Sequence, residues 1–380
     1  MSSSADQNQE GSEVVVPEAQ PVRAALPPPD TASQADPKQG VFDRVVSFIE
    51  MRPVIATSLI FAVLIVTHVA ISDAAGVMSG VFAGQTVFAL TSQGFIDTLV
   101  LALIAYNIVL PTFLARSCLT AFADTAGALS CSDRVYDEHL TALAGAHALV
   151  RLVFVGFWAA VLTPVFGGLL QVTVPGAGAD EMMLTLWMYA RLAMIFGLLG
   201  SSLSYVAMLH YRFSAALGEH LRVDLFDMTP LQPLARYSRN AVFYLSIQVA
   251  IAGPIIARPE AATASATLLG LGALLVLGAT FGALWGARRN IIAAKELALN
   301  ELHAYAREIW RRAYANGRII EAVALPAMAA MLTIRNQIAR MADWPGGWTN
   351  IARCVAIATL PVLTWFGGLI VSFLLSAIWP

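Results

Sequence analysis

The sequence predicts an all-α fold, a polytopic helical membrane bundle of about seven transmembrane helices that carries a cytoplasmic helical hairpin. Three observations carry that expectation. Hydrophobic residues make up 58% of the chain and charged residues 13%, against roughly 25% charge in a soluble domain. About seven apolar runs are long enough to cross roughly 30 Å of hydrocarbon at about 1.5 Å per residue. Basic residues crowd into every second connection and nearly vanish from the others.

Residues 1–40 are rich in Ser, Gln, Glu, Ala and Pro, with Pro27, Pro28 and Pro29 in a row. Such a segment buries too little apolar surface to offset its chain entropy, so a disordered cytoplasmic tail is expected. It lacks the apolar core of a cleavable signal peptide. Residues 41–51 read as an amphipathic lead-in flanked by Arg44 and Arg52, and the run that follows as a signal anchor. The apolar runs are 53–72, 95–115, 149–172, 185–209, 240–257, 267–287 and 355–378. Spans one to six therefore form a membrane bundle over 41–287. A helical hairpin follows over 288–342, then an interfacial turn and the final span over 343–380. Gly253-Pro254 predicts a kink in the fifth run.

Arginine sets the orientation. The connections 73–94 and 173–184 hold no Lys or Arg, and the connection between spans five and six holds only Arg258. The alternate connections hold Arg116 and Arg134, then Arg212, Arg222, Arg236 and Arg239, then the many between Arg288 and Arg353. The expected N-terminus is cytoplasmic and the C-terminus lies on the opposite side. Residues 74–92 are apolar, with Gly76, Gly80 and Gly84 at helical spacing, and read as a re-entrant or interfacial helix. A full extra span there would invert every later loop.

In the sixth span Gly278, Gly282 and Gly286 recur every four residues and predict a helix-packing seam, within the bundle or between protomers. The hairpin's first arm is expected to continue that span into the cytoplasm past Lys295, Leu302, Tyr305 and Ile309, standing roughly 40 Å off the membrane if straight. Asn316-Gly317 is a turn signal. Ala327, Met331, Ile334, Ile338 and Met341 on the second arm have coiled-coil spacing for about two heptads, and Pro326 predicts a kink near its start. Met331, Ile334 and Ile338 are the candidate partner-binding residues. Asp343-Trp344-Pro345-Gly346-Gly347 ends the arm at the interface.

Two stretches carry a resemblance. One holds Leu325-Pro326, Arg335, Ile338, Trp344-Pro345, Arg353, Pro361, Trp365 and Gly367-Gly368; the other holds Val223-Asp224-Leu225-Phe226-Asp227, Pro230-Leu231, Pro233 and Arg236. Together they resemble an uncharacterised family of bacterial multi-pass inner-membrane proteins with no assigned activity. The resemblance covers about the second half of the chain and implies the bacterial inner membrane as its location. Similar proteins place an aromatic residue after Trp-Pro, where this chain has Gly346.

Ionisable residues at membrane depth are costly and point to function. His68, Asp97 and Arg191 fall at one level in the outer leaflet. One reading is a polar cluster that lines a solute or proton path; the other is a structural ion pair that fixes helix register, with His68 at the interface. Asn107 and Gln248 lie deeper and suit interhelical hydrogen bonds, and Asn107 beside Pro111 is a candidate gate. Ser201, Ser202 and Ser204 are expected to bond to backbone or to neighbouring helices. His210, Glu219, His220, Asp224 and Asp227 do not have metal-ligand spacing, so no metal is expected, and the two aspartates suit capping. Arg212, Arg236 and Arg239 suit anionic lipid headgroups.

Several chemistries are excluded by residue type. No Cys-x-x-Cys occurs, and the three cysteines, Cys118, Cys131 and Cys354, read as unpaired thiols. There is no His-Glu-x-x-His, no intramembrane aspartate pair, no lysine in the last span and no phosphate-binding Gly-rich loop. The expectation is a protein that is not an enzyme and needs no cofactor. Two function classes remain, passage or sensing of a small solute or ion through the bundle, and a membrane-anchored scaffold or relay whose hairpin binds a partner. The expected partners are the lipid bilayer and either a second copy of the chain or a cytoplasmic protein; the net charge of −2 gives no field for nucleic acid.

Overall fold

A computed structural model describes residues 52–74, 93–144, 148–169, 179–256, 262–315, 318–319 and 324–378. The tail 1–40, the lead-in 41–51, nearly all of 74–92 and the Asn316-Gly317 turn lie outside the described residues. The helices are α1 (Pro53–Ala74), α2 (Gln93–Asp124), α3 (Asp133–Ala144), α4 (Ala148–Leu169), α5 (Ala179–His220), α6 (Gln232–Ile256), α7 (Ala262–Ala283), α8 (Trp285–Ala313), α9 (Ala324–Arg340) and α10 (Gly347–Ile378). Tyr314–Ala315 and Arg318–Ile319 pair as two short antiparallel strands, Tyr314 opposite Ile319. Among the described residues, the helices Pro53–Ala74, Ile96–Asp124 and Thr185–His220 are long and apolar enough to cross a membrane. The segments Gly270–Ala283 and Trp285–Arg312 pass the same criterion as one bent pair.

α2 is the centre. Of its most apolar stretch 67% is buried, against 11% for α1, because α2 packs on α1, α5 and α6 at once. α4 lies along α5, and α10 lies along α6 and α7. The core thickens toward the ends of α2 and α5, where Leu110, Leu114, Phe122, Phe213, Leu217, Leu234, Tyr237, Leu284 and Ile291 are all sealed from solvent. The isolated pairing of Leu129 with Leu221 ties the turns that follow those two helices.

The sixth span does not run straight into the hairpin. The axis turns by 55° between α7 and α8, at Leu284, whose side chain is buried. This corrects the expectation of a continuous first arm, and within the chain it takes Gly286 off the face that Gly278 and Gly282 share. A Cβ added at Gly278 or Gly282 would meet nothing within 4 Å, whereas one at Gly286 would collide with the backbone of Ser214 and Gly218 on α5. The four-residue spacing marks one face only on one axis, and the turn at Leu284 puts Gly286 on another. The freed amide of Gly286 is not wasted, since it donates to Ser214 Oγ at 3.0 Å. Close packing on small residues recurs between α4 and α5, where Gly197 abuts Val155 and Ala159 and Gly200 abuts the Trp158 ring.

α8 and α9 pack against each other, and Ile338 faces inward, 1% exposed. Ile338 is therefore an internal packing residue rather than free partner surface; Met331 and Ile334 are half-buried. Pro326 lies in the first turn of α9, where no intrahelical N–H is required of it, so it starts the helix instead of kinking it. Between α9 and α10, Gly346 and Gly347 have φ of 75° and 68°. At Gly346 a side chain would also strike Ala235 on α6, so both the backbone angle and the close approach call for glycine there. Lys295 on α8 anchors this turn by donating to Met341 O at 2.8 Å and to Asp343 Oδ1 at 2.7 Å.

The glycines make a direct test. Gly286→Ala is expected to destabilise the detergent-solubilised protein by about 1–3 kcal/mol through overpacking. Gly278→Ala is expected to be neutral or to gain up to about 1 kcal/mol from helix propensity. Thermal melting of the two variants, followed by tryptophan fluorescence, measures both.

Candidate functional site

The site is built where α1, α2 and α5 meet near the start of α2. Asp97 lies one turn into α2. Arg191 lies on α5 one turn beyond Trp187, so the two share a face. Arg191 Nη1 donates to Asp97 Oδ1 at 2.6 Å, with side chains 11% and 16% exposed. His68 on α1 brings Nε2 to 3.9 Å from Asp97 Oδ2. Trp187 Nε1 donates to His68 Nδ1 at 3.0 Å, and the guanidinium of Arg191 lies over the Trp187 ring at 6.0 Å.

These contacts assign the imidazole. A nitrogen that accepts from an indole carries no proton, so in neutral His68 the proton sits on Nε2, facing Asp97. A second proton would have to break the Trp187 bond. The cluster is thus one carboxylate shared between a permanent cation and a titratable ring, with Arg191 Nε buried and without a hydrogen-bond partner among the described residues. The structure brings together all three residues expected from sequence. It adds Trp187, whose place one turn before an arginine in an apolar run was the available signal.

Below this cluster Asn107 ties three helices. Its Oδ1 accepts from Gln248 Nε2 on α6 at 2.9 Å, and its own Nδ2 donates to Leu103 O at 2.8 Å. Its carbonyl is the one that Pro111, lacking an N–H, leaves open. Ser202 Oγ on α5 fills that vacancy at 3.1 Å. Beside it, Tyr106 OH donates to Tyr244 O at 2.7 Å, and Ser204, two residues beyond Ser202, accepts from Trp158 Nε1 at 2.9 Å. Asn107 with Pro111, the candidate gate, is therefore a satisfied cross-link among three helices.

No protein-family profile, no curated protein and no solved structure matches this chain.

At the other end of the bundle His210 is 4% exposed, edge-on to Tyr237 with ring centroids 6.0 Å apart. It does not reach Glu219 and His220, and the aspartates serve their own loop. Asp224 Oδ1 accepts from Phe226 N at 2.8 Å and Asp227 Oδ1 from Thr229 N at 3.0 Å. The bonds from the Thr229 hydroxyl and amide hold the Asp227 carboxyl below its ordinary range. Asn290 on α8 caps α5, reaching the carbonyls of Leu217, Gly218 and Leu221 at 2.9, 3.2 and 3.0 Å. Its sequence context carries no mark of that role.

The proline–serine compensation predicts a coupling. Ser202→Ala strips the Asn107 carbonyl of its partner and is expected to cost about 1–3 kcal/mol. Pro111→Ala restores an N–H at that carbonyl, so the double variant is expected to regain most of the loss. A double-mutant cycle on melting in detergent measures the coupling.

Proposed function

We propose that this chain is a multi-pass inner-membrane protein of about seven spans, with a cytoplasmic N-terminus and hairpin, and that its bundle passes or senses a small solute or ion. Support for the extra spans comes from the faces of α4 and α7. Leu152, Val153, Phe157 and Val161 on α4, and Leu271, Leu274 and Leu275 on α7, are all exposed. Water does not favour such continuous apolar faces, and hydrocarbon does. The arginine distribution supports the orientation. A reporter fused at residue 316 is expected to behave as cytoplasmic; periplasmic activity there overturns the topology.

One observation carries the functional reading, the Asp97–Arg191 pair with His68 against its free oxygen. Burying charge in a bilayer costs several kcal/mol, and apolar residues would hold three helices together without that cost. The arrangement offers a cation partner, a carboxylate and a proton-accepting ring to a solute or proton arriving from the outer side. No catalytic role is assigned to it.

The test separates function from structure. Asp97→Asn alone leaves a buried guanidinium uncompensated and is expected to cost about 3–5 kcal/mol. The double variant Asp97→Asn/Arg191→Gln removes both charges and is expected to keep its fold and melting temperature. Its proton or alkali-cation flux in proteoliposomes is expected to fall by about tenfold or more, equivalent to ~1.4 kcal/mol. Unchanged flux, or wild-type flux no higher than in empty vesicles, sinks the permeation reading.

A second reading, a hairpin that binds a protein partner, is favoured by exposed apolar residues on α8. Leu297 is 62% and Tyr305 61% exposed, on a helix whose many charges keep it out of lipid. Replacing Leu297 and Tyr305 by serine and recovering the same protein complexes on purification counts against it.

A further inference from the structure

α3 and the end of α5 bring together metal-donor side chains from two places far apart in sequence. His139 lies on α3, and Glu219 and His220 are the last two residues of α5. One donor atom from each lies within 4.8 Å of the others. The imidazole rings face each other with centroids 5.2 Å apart and planes tilted by 58°, and Glu219 Oε2 stands 3.6 Å from His220 Nε2. We propose that His139, Glu219 and His220 form a site for a divalent first-row transition metal ion of the zinc class.

Chemistry and geometry agree on that class. Two imidazoles and one carboxylate suit zinc, and leave a fourth position open to water or an exchangeable ligand. Hard cations such as magnesium and calcium prefer sites made of oxygen alone. Ligands bound at about 2.0–2.2 Å stand roughly 3.3 Å apart in a tetrahedron, so the donors need to draw in by at most about 1.5 Å from their present 4.8 Å limit. Glu219 is 68% exposed on its side chain and is free to rotate inward. The site sits at a helix C-terminus, where the macrodipole favours a cation.

The local fold gives the ion a role. α3 is only 12 residues long. Among the described contacts it is held by Leu143 in the core, by Tyr136 stacked on Phe122 at 5.4 Å and by Arg212 donating to Ala142 O at 2.8 Å. A bound ion pins this short helix to the end of α5, and so couples metal occupancy to the loop that joins α2 to α4. The site stands apart from the Asp97 cluster and does not depend on its reading.

The experiment uses the full chain in detergent, purified through a tag without histidine and stripped with a chelator. Titration with Zn(II) by calorimetry is expected to give one equivalent bound and a raised melting temperature. Co(II) is expected to give the visible bands of a four- or five-coordinate site. Glu219→Gln, exposed and nearly isosteric, and His139→Ala are each expected to weaken Zn(II) binding by more than the roughly 10–100-fold that loss of a supporting residue costs. His303→Ala, on exposed α8, is expected to leave it unchanged. Absence of a stoichiometric site in the wild type, or binding that survives Glu219→Gln and His139→Ala, overturns the proposal. Circular dichroism of each variant identifies any loss of fold, and Glu219→Gln keeps the test decisive if His139→Ala unfolds.

Discussion

A polar group shut between packed helices has no solvent to fall back on, and the bundle is organised by that constraint. It is felt most at α2, the most buried of the long apolar helices. Pro111 denies a hydrogen bond to the Asn107 carbonyl, and the vacancy is filled from α5 by Ser202 while the Asn107 side chain takes Gln248 from α6. A local backbone defect is thereby turned into the fastening of three helices. The same economy operates at the α7–α8 break, where the open Gly286 amide is taken by Ser214, and at the end of α5, where Asn290 reaches three carbonyls of its last turns. Each interruption of a helix serves as a joint to its neighbour.

Much of the architecture is legible from composition, because exposure to lipid is a property of long stretches and not of single residues. The runs 53–72, 95–115 and 185–209 fall on α1, α2 and α5, three helices long and apolar enough to span. Their ends were less legible. Hydropathy drops before the helices end, and α2 continues to Asp124 and α5 to His220, because a helix persists past its apolar run wherever other helices cover it. The 55° break at Leu284 leaves no compositional trace, as leucine neither breaks helices nor marks their ends. It deceived the glycine pattern, because spacing argues for a shared face only while the axis is straight.

Sites followed the same division. Asp97, Arg191 and His68 were conspicuous because charge in an apolar run is costly, and their common depth predicted that they would meet. Trp187 and Asn290 were not, since their hydrogen-bond partners lie on other helices; for Ser202 a bond to backbone or a neighbouring helix was expected, but not which carbonyl would take it. His139 reaches Glu219 and His220 only through the fold, as the loop after α2 returns to the end of α5 through the Leu129–Leu221 pairing.

The crossing of α5 and α8 has a mechanical consequence. α5 is a single helix of 42 residues, about 63 Å from end to end, with Arg191 near one end and Gly218 near the other. The Trp158 ring against Gly200 sits between them as a fulcrum. Tilting α5 by about 5° on that point would carry its inner end, roughly 30 Å away, through about 2.6 Å. Gly286 has no side chain to cushion the movement, and backbone bears directly on backbone at Ser214 and Gly218. A displacement of α5 at that crossing would therefore meet the backbone of α8 directly, with no side chain between to absorb it.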